Sequence, residues 1–133
     1  MQRLIVIVCA WLSFGAHAAP VYVDDAWLAA RLDDPRVVIV DMSDAAQYQR
    51  FHVPGAIHLP YDALLKPPAR TRVRERLDDK ALIDLLGNIG IARTHHVVLY
   101  DDLGALDAAR LFWELERIGH PHVSVLDGGL VRW

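Results

Sequence analysis

The side chains best placed to do chemistry are carboxylates. Asp41 ends the run Val37-Val38-Ile39-Val40, and Asp101-Asp102 end the run Val97-Val98-Leu99-Tyr100. Both runs are short, apolar and rich in branched residues, the pattern of strands buried on both faces. Carboxylates gathered at the carboxyl ends of parallel strands could hold a divalent cation. Thiol chemistry has no candidate beyond Cys9, the single cysteine, which sits near the amino terminus. The histidines His52, His58, His95, His96, His120 and His122 have no carboxylate or cysteine partners at metal-ligand spacing and read as structural.

The first residues decide how much of the chain must fold. Met1-Gln2-Arg3 is followed by an apolar run from Leu4 to Leu12, then Gly15 and the small-residue triplet Ala16-His17-Ala18. A positive start, a short apolar core and an Ala-x-Ala site predict a secretory signal peptide over residues 1–18, cleaved after Ala18. The run is too short to span a membrane and has no polar face for an amphipathic helix. Cys9 would leave with this segment, and Val8 before it is not the small residue of a lipoprotein site. The mature chain, residues 19–133, would then have no cysteine, no disulfide and no thiolate metal site. Its address would be the periplasm or the exterior, with no membrane attachment.

About 115 residues remain, the size of one domain, and setting Arg3 aside takes the formal charge from −3 to −4. Mild acidity argues against nucleic acid as a partner. The most basic stretch, Arg70-Thr71-Arg72-Val73-Arg74-Glu75-Arg76, has no interleaved aromatics and reads as a solvated loop face after Pro67-Pro68.

Further strands are predicted at Val123-Ser124-Val125-Leu126 and, more briefly, at Ala56-Ile57-His58. Helical spacing of apolar residues predicts helices over Asp25 to Leu32, Asp79 to Ile89 and Leu106 to Ile118. Asp78 or Asp79 can cap the second, and Gly119 can end the third in the left-handed conformation that glycine adopts cheaply. In the third helix, Phe112 and Trp113 read as core, although adjacent helical positions point about 100° apart and cannot both be buried against one sheet. Alternating strands and helices imply an α/β domain, a mostly parallel sheet flanked by helices in three layers.

Three segments, taken together and in order, resemble the rhodanese family. They are Tyr48-Gln49-Arg50-Phe51-His52-Val53-Pro54-Gly55-Ala56-Ile57, the strand and loop Val97 to Gly104, and Gly119-His120 followed by Val123 to Gly129 and Trp133. The resemblance covers about residues 21–133 and implies a rhodanese-like fold whose last helix is truncated at Trp133. Taken alone, Pro54-Gly55 is an ordinary type II turn and Gly128-Gly129 an ordinary strand end. Two positions depart from the family pattern: Met42 stands where catalytic members carry arginine, and Gln47 where an acidic residue is expected.

In catalytic members a loop Cys-x-x-Gly leads into a helix, and backbone N–H groups surround a persulfide. The resemblance places Asp101 at the nucleophile position of the loop Asp101-Asp102-Leu103-Gly104. A carboxylate cannot carry a persulfide, and Asp101, Asp102 and Asp107 would repel an anionic sulfur donor while occupying the anion site at the helix start. Asp102 reads as a helix cap, and Arg110 as the partner of Asp107 three residues before it. No catalytic residue, metal site or cofactor is expected.

The resemblance is to the non-catalytic amino-terminal domain of tandem thiosulfate or 3-mercaptopyruvate sulfurtransferases, whose partner is a carboxyl-terminal catalytic rhodanese domain. It implies a sulfurtransferase, secreted if the signal segment is as read, acting from a small anionic sulfur donor to a thiophilic acceptor, of which this chain is a part inactive alone. Without its closing helix such a part should be marginally stable. Two alternatives stand beside it. One is a standalone rhodanese-like module that binds a partner without turnover. The other is a Mg²⁺-dependent phosphohydrolase or receiver domain built on Asp41 and Asp101-Asp102, which ranks low because no threonine-ended strand or later strand-end lysine follows.

Overall fold

The computed structural model of the chain describes residues 18–68 and 73–133. The segment read as a signal peptide, with Cys9, lies outside the described residues, as do Arg70 and Arg72 of the basic stretch. The described part of that stretch is ion-paired: Arg74 with Asp62 at 2.7 Å and Glu75 with Lys66 at 3.0 Å. Among the described residues, no helix is long and apolar enough to cross a membrane.

Five strands form one sheet: β1 Tyr22–Val23, β2 Val37–Asp41, β3 Ile57–His58, β4 His96–Tyr100 and β5 Val123–Leu126. Their order is β1-β5-β4-β2-β3, and every pairing is parallel. The long central pairing sets Val37 against His96 and Asp41 against Tyr100. Because side chains alternate along a strand, the central strands feed two cores. Val97 and Leu99 of β4 join Val40 of β2 in a core covered by α3 (Asp79–Asn88) and α4 (Leu106–Arg117). Val98 and Tyr100 face the other way, with Ile39, Val23 and Leu126, toward Leu28 of α1 (Asp25–Ala29). The result is the α/β three-layer architecture that the strand and helix alternation implies.

The helix boundaries follow from local chemistry. Asp24, Asp44 and Asp78 each accept a backbone N–H three residues on, capping α1, α2 (Ala45–Arg50) and α3. Helix α1 ends at Ala29, short of the expected Leu32, because Pro35 disfavours helical backbone at Asp34 and the chain turns through Arg31. Gly119 ends α4 at φ +72°, as expected. Three elements have no counterpart in the sequence reading: β1, α2 and a 3₁₀ turn at Tyr61–Leu64. A short α5 (Gly129–Arg132) follows β5. Phe112 packs against the core, whereas Trp113 is 74% exposed, so the expectation that both are core fails for the tryptophan.

Two histidines near the amino-terminal ends of the strands make stability pH-dependent. Burial holds both His96 and His120 below the ordinary 6.5, helped at His96 by His122 and Arg31 and at His120 by Arg93. The unfolded chain therefore binds more protons than the folded one just below pH 6.5. Stability from these groups is complete above that pH and declines as pH falls through it. Urea midpoints should drop between about pH 7.5 and 5.5, and an unchanged or rising midpoint would contradict this assignment.

Candidate functional site

Strands β2, β4 and β5 bring Asp41, Asp101 and Asp127 to the carboxyl edge of the sheet, where α4 begins. Asp101 is 1% exposed and its carboxylate is fully engaged by backbone donors. Oδ1 accepts N–H groups from Leu103 at 2.9 Å and Ala105 at 2.8 Å. Oδ2 accepts those of Asp107 at 2.8 Å and Ala108 at 2.9 Å. The wrap depends on Gly104 at φ +75° and Ala105 at φ +70°, consecutive left-handed residues that curl the loop around the side chain. Alanine is strained there, on the order of 1–2 kcal/mol, and its N–H bond to Asp101 helps to hold it.

The first turn of α4 thus carries its own anion. Four N–H groups, three of them in or beside that turn, converge on a carboxylate, an arrangement that the helix dipole favours further. This corrects the expectation that Asp102 caps the helix: the residue at the cap position is Ala105, which has no capping side chain, and Asp101 does the work from four residues upstream. Arg110 is likewise not the partner of Asp107. It pairs with Glu114 at 2.8 Å, and Arg117 closes on the same buried glutamate from the other side. Among the described residues Asp107 has no cationic partner, and burial, with the nearby charges of Asp101 and Asp102, raises its carboxyl above the usual range.

Beneath the loop lies a buried relay. The Tyr100 hydroxyl donates to Asp41 Oδ2 at 2.5 Å and accepts the N–H of Val53 at 2.9 Å. Asp41 Oδ1 accepts the N–H of Ser43 at 2.8 Å. Burial first, and then the hydrogen bond to Asp41, push the Tyr100 phenol far above its ordinary value. The two strand-end carboxylates are therefore surrounded by donors, which is the environment of an anion rather than of a Mg²⁺ ligand. Among the described residues no group of three or more histidine, cysteine or acidic side chains could hold a metal ion.

The rest of the edge is closed by backbone. Gly129, at φ +54°, sits so close that a Cβ there would lie 2.5 Å from the Asp101 carbonyl oxygen, which also accepts the N–H of Leu130 at 3.1 Å. The Gly128-Gly129 pair is therefore more than a strand end. Met42, where an arginine would give the edge positive charge, is 1% exposed and belongs to the core. Tyr48 is stacked between the rings of His52 and His58, and its hydroxyl donates to the Ala56 carbonyl. Both histidines contact backbone carbonyls, His52 Nδ1 that of Tyr48 and His58 Nε2 that of Ser43, so these nitrogens carry the protons. Around the loop, Phe51, Leu103, Leu106, Trp113 and Val131 are exposed apolar side chains.

Comparison with known proteins agrees with this architecture. The chain is 35% identical over 116 residues to the thiosulfate sulfurtransferase of Pseudomonas aeruginosa, covering 86% of this chain and 42% of that protein. It is 36% identical over 118 residues to the thiosulfate sulfurtransferase of Azotobacter vinelandii, again covering 86% and 42%. The crystal structure of SseA from Escherichia coli, described as a 3-mercaptopyruvate sulfotransferase, superposes with a TM-score of 0.72 at 27% identity, over 85% of this chain and 48% of that one. The chain thus spans about two fifths of the length of these curated relatives, which leaves room in them for a second domain. The rhodanese-like domain profile matches residues 24–133, nearly all of the described chain, and on these grounds the chain belongs to the rhodanese-like domain family.

Proposed function

We propose that this chain is the non-catalytic, amino-terminal rhodanese domain of a secreted sulfurtransferase, and that it has no sulfur-transfer activity of its own. The observation that carries this reading is the occupancy of the loop. The four N–H groups that could receive an anionic sulfur species already receive the Asp101 carboxylate. No thiol stands there to be persulfurated, and Asp102 and Asp107 add negative charge against a thiosulfate or mercapto-carboxylate donor. The relatives' greater length supports a second, catalytic domain as the partner, and the signal-like start supports a periplasmic or secreted location.

The exposed apolar side chains around the loop favour a second reading, a rhodanese-like module that binds a partner without turnover. The intact mass of the native mature protein separates the two. A mass above about twice that of a 115-residue chain supports the tandem enzyme, and a mass near that of residues 19–133 supports the module. For both, cyanide-dependent thiocyanate formation from thiosulfate by residues 19–133 should not exceed the blank. Turnover above the blank would refute the proposed inactivity.

A further inference from the structure

At the opposite, amino-terminal edge of the sheet an open cleft of about 300 Å³ is walled by Trp27, Arg31, Asp34, Arg36, His96 and His122. Its charges are unevenly matched. Arg36 is held by Asp34 through two side-chain hydrogen bonds of 3.0 and 2.8 Å, so that pair is internally neutral. Arg31 has no such partner among the described residues. Its guanidinium lies 4.2 Å over the Trp27 ring and gives one N–H to the Trp27 carbonyl at 2.9 Å. That stacking fixes the position of the group and leaves most of its five donors unassigned.

The histidines add ring nitrogens to the same wall. Ser124 Oγ gives its single proton to the Pro20 carbonyl at 2.5 Å, so its 2.8 Å contact with His96 Nε2 must be an N–H donated by the imidazole. Nδ1 is then the basic nitrogen of His96. The His122 ring lies 6.4 Å from that of His96, and the Trp27 ring tilts against His96 at 5.0 Å. The neighbours of His96 contribute positive or neutral groups: Arg31 and Trp27 from the α1 side, Ser124 from β5, and His120 and His122 from the turn before β5. Asp34, the carboxylate of this wall, is taken by Arg36. A cation would meet Arg31 and just two imidazoles, too few ligands for a metal centre.

We propose that this cleft binds a small free oxyanion of the size and charge of sulfate, with Arg31 as the charged anchor and the His96 and His122 rings as further hydrogen-bond partners. The site lies at the far edge of the sheet from the Asp101 loop and does not depend on the function of that loop. Burial first, and then the neighbouring His122 and Arg31, disfavour protonation of His96, and a bound dianion would oppose that effect, so anion and proton should bind together.

The test is an NMR titration of the full chain with sodium sulfate, exchanged against sodium chloride at constant ionic strength. The Trp27 indole N–H, the Arg31 side-chain N–H and the His122 ring signals should move together and saturate. Affinity should be at least about threefold tighter near pH 5.5 than near pH 7.5, because a bound anion favours protonation of His96. Arg31→Met keeps an aliphatic stem over Trp27 and should weaken binding about tenfold, the loss expected for one charge-assisted contact. His122→Ala, at a half-exposed position, should weaken binding about threefold, the loss of one hydrogen bond, while the rest of the spectrum is retained. Shifts that do not saturate near pH 5.5, or that are the same in Arg31→Met, would overturn the proposal. So would shifts centred on the amides of Leu103 and Ala108.

Discussion

Asp101→Ala should lower the stability of the domain by about 3–5 kcal/mol, because it removes a buried carboxylate and leaves four backbone N–H groups without their acceptor. The loss is smaller than the sum of four separate bonds, since they share one side chain and water can enter the vacated space. Against a total of roughly 5–15 kcal/mol, it would bring the fold close to its limit and lower the melting temperature by roughly 15 °C. Asp102→Ala is the internal control. That residue accepts no hydrogen bond from the described residues, so its loss should matter by less than about 0.5 kcal/mol. The vacated cradle should also take an anion from solution: formate should raise the melting temperature of Asp101→Ala and leave the unmodified protein unchanged. Equal melting temperatures for the Asp101 and Asp102 variants would show that the carboxylate does not organise the loop.

Tyr100→Phe should have the second largest effect, about 2–4 kcal/mol, although it deletes one atom. The hydroxyl joins three segments: β4 that carries it, Asp41 at the end of β2, and the turn at Val53 before β3. Without it, Asp41 Oδ2 loses its donor and the Val53 N–H its acceptor, both in the interior, and unmade buried bonds cost more than made ones contribute. The effect should couple to Asp41. In a double-mutant cycle, Tyr100→Phe should be milder on an Asp41→Asn background, with a coupling of about 0.5–3 kcal/mol. Strict additivity in chemical denaturation would mean that the two side chains act independently, contrary to their 2.5 Å contact.

The sequence shows some parts of this molecule better than others, for physical reasons. Strands β2, β4 and β5 are legible because strands buried on both faces must be continuously apolar. Helices α3 and α4 are legible because each buries one periodic face. Helix α2 buries no residue, so periodicity carries no trace of it, and Asp44 as a cap was the available signal. Strand β1 is two residues held at a sheet edge by Val125 and Asp127 N–H groups, a contact made over a hundred residues away. Trp113 shows the limit of composition: its helix is amphipathic, yet this aromatic falls on the open face.

At the candidate site, the placement of carboxylates at the strand ends was readable and their roles were not. Choosing Asp101 over Asp102 as the cap requires knowing that Ala105 is left-handed, which propensity argues against. Once Gly104 and Ala105 turn as they do, the side chain four residues before Ala105 comes within reach of four amides. Likewise Tyr100 and Asp41 are separated by 59 positions, and the register of β2 against β4 alone makes them partners. Helical spacing alone pairs Arg110 with Asp107, but Glu114, on its other side, is the buried carboxylate and has the greater need of a partner.

The role proposed for the Asp101 carboxylate is to fill the place where an anionic sulfur species would bind. Its most direct test is the backbone amide spectrum of residues 19–133 titrated with thiosulfate at constant ionic strength, read at Leu103, Ala105, Asp107 and Ala108. If it does so, these four amides show no saturable movement. Saturable movement of all four would show that the cradle admits the donor despite Asp101, and would contradict it.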